Sequence, residues 1–297
     1  MVTSRRLRLV VAVALAAASV AVSAAQQPAA PRNFMWKATS REGVVYLVGS
    51  VHMLTKDYYP LAPALDAAFK DSDLLVEEVD LSEMLSPTAQ FTMLSRGMLP
   101  AGQTLDTVVS SATMALVHTR LDSVGMPIEG LRHFKPWFLA MTLVALEWQK
   151  AGFASDLGLD KHFYDRAKED GKAVQGLETT EYQISRFDGM TKSQQDRFLA
   201  ESLKDLDTEK AIVNKVADAW KAGDAPAVER LVLQDLKDDP EMYQRLLVER
   251  NRNWLPQLVT LFTRPGHAFV VVGAAHLVGP DGLIAMLRAK GIRVVQL

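Results

Sequence analysis

Apolar and polar positions along the chain predict alternating strands and helices, most clearly near the two ends. Residues 34–39 and 44–48 alternate or run apolar on either side of Arg41-Glu42-Gly43, which predicts a hairpin that leads into a buried strand. Residues 60–70 then have helical spacing, and residues 73–80 return as a strand. The order strand, helix, strand predicts a βαβ unit near the N-terminus.

The same order returns at the C-terminus. Residues 268–272 predict an apolar strand, residues 280–290 a helix that ends at Gly291, and residues 292–296 a last strand. We therefore predict an α/β fold whose central sheet is mixed or mostly parallel and arises from an approximate internal duplication.

Two helix-rich stretches separate these ends. Amphipathic runs punctuated by glycine and proline fill residues 81–155, and we interpret them as a large helical insertion or cap. Residues 159–177 predict a helix and a short strand, and a second helical region covers residues 191–261. We expect residues 26–297 to form one domain, because a chain of this length and apolar content can bury a large core.

The N-terminus predicts a signal peptide over residues 1–25. Arg5, Arg6 and Arg8 precede an apolar run, and Val22-Ser23-Ala24 offers small residues for cleavage. A twin-arginine signal and an uncleaved anchor are alternatives, although the apolar run is short for a membrane span of about 20 residues. We expect an exported protein, periplasmic or secreted, with no stable membrane insertion after cleavage.

Composition narrows the chemistry that the protein can carry. The net charge is −2, and lysine and arginine are interleaved with the acids, so no surface for nucleic acid is expected. Cysteine is absent, which excludes disulfides and thiolate nucleophiles. Any nucleophile or metal ligand must therefore be an oxygen or an imidazole.

One short sequence occurs twice, each time after a predicted buried strand and before a predicted helix. It is Val48-Gly49-Ser50-Val51-His52 in the first copy and Val272-Gly273-Ala274-Ala275-His276 in the second. The carboxyl ends of parallel strands line one edge of an open sheet, so such turns on neighbouring strands would bring His52 and His276 to one crevice. Alternatively, each glycine only allows a turn and each histidine only precedes a helix.

Acids at strand ends and one arginine complete the candidate site. Glu78 ends the strand after the first turn, and its burial would require an imidazole, an arginine or a metal as partner. Its neighbour Glu77 is expected on the opposite face of the strand. Glu178 ends the next predicted strand, or is an acidic N-cap residue of a helix. Arg250 lies in a helix expected to stop before Pro256, either as a clamp for a substrate carboxylate or as a C-terminal helix cation.

As an ordered set, six motifs resemble the TraB/PrgY/GumN family, in its GumN-like branch, over nearly the whole mature chain. The motifs are Val48-Gly49-Ser50-Val51-His52 with Leu54, Asp73 through Glu78-Val79-Asp80, Gly158-Leu159-Asp160, Gly176-Leu177-Glu178-Thr179, Glu249-Arg250-Asn251 with Trp254, and Val272-Gly273-Ala274-Ala275-His276-Leu277 with Gly279. The resemblance implies an α/β fold with both Gly-x-x-His turns and an acid in one pocket. In the related Tiki branch it implies a divalent-metal-dependent peptidase. Similar turns in erythromycin esterase-like and ChaN-like proteins imply that the scaffold also supports a histidine base or iron-containing ligands.

Two functions stay open on the sequence alone. The leading hypothesis is hydrolysis, of a peptide bond or a small-molecule substrate, at His52, Glu78 and His276. These three residues would hold a divalent ion such as Mn, Co, Zn or Fe(II), or act directly as base and stabilisers. Glu178 and Arg250 are further catalytic candidates, with Glu178 as the acid that a leaving group needs. The alternative is a binding protein that sequesters a peptide, metal or haem-like ligand without turnover.

Overall fold

A six-stranded mixed sheet lies at the centre of the computed structural model, which describes residues 32–297 except for the side chains of residues 205–211 and 235. The predicted signal peptide lies outside the described residues. The strands are β1 (Met35–Thr39), β2 (Val44–Ser50), β3 (Leu74–Glu77), β4 (Ala173–Gly176), β5 (His267–Gly273) and β6 (Arg293–Gln296). Their order in the sheet is β4-β3-β5-β2-β1-β6. The predicted α/β class and mixed sheet are confirmed.

The centre of the sheet is parallel. β2 pairs with β5 in parallel from Val44 opposite His267 to Ser50 opposite Gly273, and β3 is parallel to both β5 and β4. β1 is antiparallel to β2 and to β6, as the predicted hairpin requires. β2 and β5 are buried on both faces, which explains why their sequences read as continuous apolar runs.

Helices fill both regions for which the sequence predicts them. Between β3 and β4 the chain forms α2 (Leu81–Met84), α3 (Pro87–Gly97), α4 (Leu105–Val108), α5 (Ser111–Ser123), α6 (Pro136–Lys150) and α7 (Leu159–Glu169), and α1 (Pro63–Lys70) precedes β3. Between β4 and β5 it forms α8 (Thr180–Asp188), α9 (Lys192–Lys221), α10 (Ala225–Asp238), α11 (Pro240–Tyr243), a π-helical turn (Gln244–Val248) and α12 (Glu249–Thr260), and α13 (Leu283–Ala289) precedes β6. No helix within residues 32–297 is long and apolar enough to span a membrane.

Helices of the two regions share a second hydrophobic core. The main core surrounds the sheet, whereas a separate cluster joins α4, α5, α6 and α9 through fully buried residues such as Leu105, Val117, Leu139 and Leu199. A helical cap with its own core therefore stands beside the α/β part.

The helix that carries Arg250 does not stop before Pro256, contrary to the prediction. α12 continues through Pro256 to Thr260. A proline inside a helix removes one hydrogen bond, here to the carbonyl of Arg252, and this residue is exposed, so water can satisfy the carbonyl. Arg250 consequently lies in the first turn of α12, and its interpretation as a C-terminal helix cation is wrong.

The chain connections diverge at β2 and β5. From β2 the chain crosses β5 to reach β3, whereas from β5 it crosses β2 and β1 to reach β6. Adjacent parallel strands whose connections leave in opposite directions open a crevice at their carboxyl ends, which is where open α/β sheets bind ligands. Both Gly-x-x-His turns lie at this position.

Candidate functional site

The two Gly-x-x-His turns lie side by side but differ in exposure. Ser50 is opposite Gly273, so the second turn is displaced by one residue along the sheet. His52 follows β2 in an irregular turn, while His276 ends a single 3-10 turn. The His52 side chain is 60% exposed, whereas His276 is only 5% exposed. Only the first histidine is therefore directly accessible to a ligand.

Gly273 marks the point where three predicted site residues meet. A Cβ on Gly273 would lie 3.1 Å from Glu78 Oε1, 3.3 Å from His52 Nε2 and 3.6 Å from His276 Cδ2. The Gly273 amide also donates to Glu78 Oε1 at 2.7 Å. Because the residue has no side chain, space remains where the carboxylate and the two imidazoles face one another.

Asp160 orients the ring of His52. Its Oδ2 lies 2.9 Å from His52 Nδ1 and accepts a hydrogen bond from Ser50 Oγ at 2.5 Å. With Nδ1 held in this way, Nε2 is directed towards Gly273 and Glu78. The charge of Asp160 raises the pKa of His52 to about 9 although desolvation opposes it, and solvent at the exposed edge of the ring screens part of this attraction.

Helix α7 begins against the first turn, which explains how Asp160 reaches His52. The Leu159 amide donates to the carbonyl of Val51 at 3.3 Å. A Cβ on Gly158 would lie 2.1 Å from the carbonyl oxygen of His52, so only glycine permits this approach. Asp160 was not predicted as a site residue, and the signal that could have found it is its motif, an acid in the first turn of a helix that starts with glycine.

Glu78 is a buried anion held by several donors. In addition to the Gly273 amide, its carboxylate accepts hydrogen bonds from Arg250 Nη2 at 2.5 Å and from Gln183 Nε2 at 3.1 Å. Burial alone would raise the pKa of Glu78, but the charge of Arg250, with that of His52 and the hydrogen bond from the Gly273 amide, holds it well below its usual range. The partners that a buried strand-end carboxylate requires are therefore present.

Arg250 joins the acids of the site to the second histidine. Nη2 also donates to Glu178 Oε1 at 2.7 Å, and Nε donates to the same carboxylate at 3.0 Å. Nη1 donates to His276 Nε2 at 3.0 Å and to the carbonyl of Leu246 at 3.2 Å. All five N–H groups of the guanidinium are used, so this arrangement leaves no donor for a substrate carboxylate. Arg250 clamps groups of the protein itself.

His276 is held as a neutral imidazole. Because Nε2 accepts from Arg250, the proton lies on Nδ1, which donates to Asn251 Oδ1 at 2.7 Å. Burial lowers the pKa of His276 to about 3. The indole of Trp254 packs against the ring with 4.4 Å between centroids. His276 therefore stays neutral throughout the physiological pH range.

Glu178 lies beside Arg250 and Trp254, and these two residues enclose its carboxylate. The N-cap of α8 is Thr179, so Glu178 is not a cap residue. Its carboxylate accepts from Arg250 and from Trp254 Nε1 at 2.9 Å, and burial raises its pKa. Glu178 does not line the cavity beside His52, so a role as proton donor to a leaving group would require this cluster to open.

A cavity of about 340 Å³ opens beside His52 and Glu78. One part of its lining is polar and includes Asp160, Lys161 and Gln183. The rest is an apolar wall, formed by Val79, Leu81, Met84 and Leu85. The candidate chemistry therefore adjoins a space that is polar on one side and apolar on the other.

Glu77 also lines this cavity, which corrects the expectation that it faces away from Glu78. β3 ends at Glu77 and the chain bends at Glu78, so the alternation of strand side chains no longer applies. Glu77 is 1% exposed, and neither carboxyl oxygen has a hydrogen-bond partner among the described residues. Burial, reinforced by the charges of Asp160 and Asp80, raises the pKa of Glu77 to about 9. Glu77 is therefore a neutral acid at pH 7.

The three predicted metal ligands differ in the atoms that they have free. His52 Nε2 and Glu78 Oε1 face one another at Gly273, and the carboxylate behind His52 is the support that metal-binding histidines commonly have. His276 Nε2 instead accepts from Arg250, whose fixed positive charge repels a cation at that nitrogen. Among the side chains that the structure describes, no group of three or more histidines and acids has an arrangement that could hold a metal. Two of the predicted ligands fit a cation, and the third fits only if Arg250 moves.

The mixed sheet with paired Gly-x-x-His turns at its switch point defines an α/β protein in which a buried glutamate lies beside two histidines. The chain belongs to the TraB/PrgY/gumN family, whose sequence model matches residues 34–296. It is 28% identical over 246 residues to "Uncharacterized protein YbaP" of Escherichia coli (strain K12), an alignment that covers 82% of this chain and 87% of that protein. The protein of the same name from Shigella flexneri matches equally. No solved structure matches the chain.

Proposed function

We propose that this protein is a hydrolase that cleaves peptide bonds and that His52 and Glu78 hold a divalent cation for the reaction. The observation that carries the proposal is the His52–Asp160 pair, whose free Nε2 faces the Glu78 carboxylate. The negative potential of Asp160 and Glu78, which stabilises a proton on His52, would stabilise a cation at the same nitrogen.

Each residue of the site has a distinct task in this proposal. A divalent cation would supply Lewis-acid polarisation of the scissile carbonyl and a nucleophilic water at neutral pH. Asp160 orients His52, and the Gly273 amide and Arg250 keep Glu78 ionised and in place. His276 holds Arg250 from the other side through a neutral nitrogen. Arg250 and His276 are thus positioning residues in the present arrangement.

A metal-free version of the same hydrolysis uses the charge of His52 differently. Without a cation, His52 carries a proton at neutral pH and would donate it to the amine that leaves as water attacks the carbonyl and the C–N bond breaks. His52 would then recover a proton from the water that has added. This version predicts that activity persists in the presence of a chelator, whereas the cation version predicts that activity is lost.

We further propose that the reaction takes place outside the cytoplasm, in the periplasm or the medium. Support for this comes from the predicted signal peptide, with its arginines, apolar run and small residues before position 25.

The test combines metal content with peptide turnover in the full chain. Wild type, His52→Ala and Asp160→Asn are incubated with Mn, Co, Zn or Fe(II), dialysed and measured by elemental mass spectrometry. His267→Ala is the matched control, because His267 also pairs with an aspartate, Asp71 at 2.8 Å, but at the opposite end of β5. The same samples are then incubated with a peptide mixture, and the products are identified by mass spectrometry.

We expect metal and peptide cleavage in wild type and in His267→Ala, and loss of both in His52→Ala. Cleavage that resists chelation and needs no added metal would replace the cation version by the metal-free one. Metal or peptide binding without any product would contradict hydrolysis and support the alternative of a sequestering protein.

A further inference from the structure

We propose that the apolar wall of the cavity is a subsite for a large apolar side chain of the substrate, next to the bond that is cleaved. This rests on the proposed hydrolase function and adds the substrate class, namely short or flexible peptides with a leucine-, methionine- or phenylalanine-like residue at that position. Met84 and Leu85 are the specificity-determining residues.

The wall is built directly onto the strand that carries the site carboxylate. Val79 follows Glu78, and Asp80 then caps α2 by accepting a hydrogen bond from the Ser82 amide at 2.8 Å. This cap sets the direction of α2, so that Leu81 and Met84 face the same cavity as Glu78. The distance between chemistry and wall is therefore fixed by local structure.

The apolar wall reaches the protein surface at Leu85. Leu85 lines the cavity and is 50% exposed. Phe91 and Leu94, on α3, are also exposed, so three of the six large exposed apolar residues among those described lie within ten positions of the chain. Exposed apolar surface beside a cavity is typical of a binding site, because water contact is costly for such side chains until a ligand covers them.

Among the lining residues no lysine or arginine is free to pair with an acidic occupant. Glu78 and Asp160 line the polar side together with Asp156. The ammonium of Lys161, which also lines the cavity, already bonds to Asp165 at 2.6 Å. At the wall an acidic substrate side chain would lose its hydration without gaining a donor, whereas an apolar side chain can contact the wall.

The cavity volume limits the form of the substrate. About 340 Å³ is close to the lower end of ligand sites, which span roughly 300–1,000 Å³. Such a space accepts part of an extended peptide but no folded domain. The proposed substrates are accordingly unfolded segments, chain ends or short peptides.

The test uses peptides of the form acetyl-Ala-Ala-X-Ala-Ala-amide, with leucine, phenylalanine, glycine or aspartate at X. Cleavage by the metal-loaded full chain is followed by mass spectrometry, which also locates the bond that is cut. We expect kcat/KM for the leucine and phenylalanine peptides to exceed that for the glycine peptide at least tenfold, since one buried methylene alone changes selectivity by about tenfold or more. The aspartate peptide should be the poorest substrate.

Variants of the wall show whether the preference at X comes from contacts with the wall or from a general change in activity. Met84→Ser should lower the leucine-to-glycine ratio of kcat/KM about tenfold. Met84→Leu conserves volume and apolar character and should retain the ratio. Met141→Ser, an exposed apolar residue on α6 outside the cavity lining, is the matched control and should leave the ratio unchanged. An unchanged ratio in Met84→Ser, or equal cleavage of the aspartate peptide, would overturn the subsite.

Calorimetric binding of the same peptides to His52→Ala and to wild type distinguishes this proposal from the proposed hydrolase function. If nothing is cleaved but the leucine peptide binds more tightly than the glycine peptide, and Met84→Ser removes that difference, the subsite holds and hydrolysis fails. Cleavage without preference at X overturns the subsite alone. Absence of both cleavage and binding overturns both.

Discussion

Replacing Glu77 by glutamine should stabilise the protein at alkaline pH, because this buried acid has to stay protonated in the folded state. The pKa of Glu77 is about 9 in the fold, against an ordinary value of 4.5. Between these values the unfolded chain releases a proton that the folded chain retains. Wild type therefore loses stability as pH rises through this window, whereas glutamine, similar in shape and always neutral, removes that loss.

The size of the effect follows from proton linkage. One retained proton changes the free energy of unfolding by about 1.4 kcal/mol per pH unit, so the loss between pH 5 and pH 8 is up to about 4 kcal/mol. That is a large part of a typical net stability of about 5–15 kcal/mol. The raised pKa of His52 also lowers stability from about pH 6.5 to 9, but it does so in both proteins. The difference between variant and wild type therefore isolates Glu77.

Urea unfolding at pH 5 and pH 8, with a chelator present, measures this difference. We expect the variant to gain about 2–4 kcal/mol relative to wild type between the two pH values. The unpartnered amide of glutamine adds a cost that does not depend on pH, so it leaves the slope unchanged. Glu42→Gln, in an exposed turn, is the matched control and should stay within about 0.5 kcal/mol of wild type at both pH values. Parallel pH profiles for Glu77→Gln and wild type would refute the reasoning.

Three further changes test the contacts around Gly273. Asp160→Asn should lower the pKa of His52 from about 9 towards 6.5, as followed by NMR titration of its ring, and an unshifted titration would contradict the pairing. Arg250→Ala leaves Glu78 buried without its cation and should cost about 3–5 kcal/mol in urea unfolding, so a loss below about 1 kcal/mol would speak against the clamp. Gly273→Ala places a methyl group 3.1 Å from Glu78 and 3.3 Å from His52, and it should abolish metal uptake in a protein that still folds; full uptake would exclude a cation at this point.

Much of the fold could be predicted from the sequence because strand and helix periods are local. The apolar runs before both histidines predict buried parallel strands, and β2 and β5 are neighbours at the centre of the sheet. Parallel pairing then brings the carboxyl ends together, so the approach of His52 to His276 follows from two short sequences. The position of Glu78 at the same edge follows from the same rule, because β3 is the next strand beyond β5.

The partners of these residues could not be predicted, because they depend on where distant helices pack. Asp160 reaches His52 only because α7 begins against the first turn. Arg250 was expected late in a helix, but α12 continues through Pro256 and Arg250 lies in its first turn. Its guanidinium there contacts Glu78 and Glu178. Glu77 was placed on the wrong side because strand alternation was extended past the bend at Glu78. Each error concerns the position at which a regular element begins or ends.

The parallel ladder between β2 and β5 has a consequence for how the molecule opens. Its strands are buried over both faces, so their amides should exchange with solvent only on global unfolding, and the Gly273 amide, which donates to Glu78, should share that protection. The segment that carries Leu85 and Phe91 is exposed and belongs to short helices, which places it at the low end of local stability. The strands that lead into both histidine turns are thus expected to exchange last, while the exposed helix that carries Phe91 should exchange earlier.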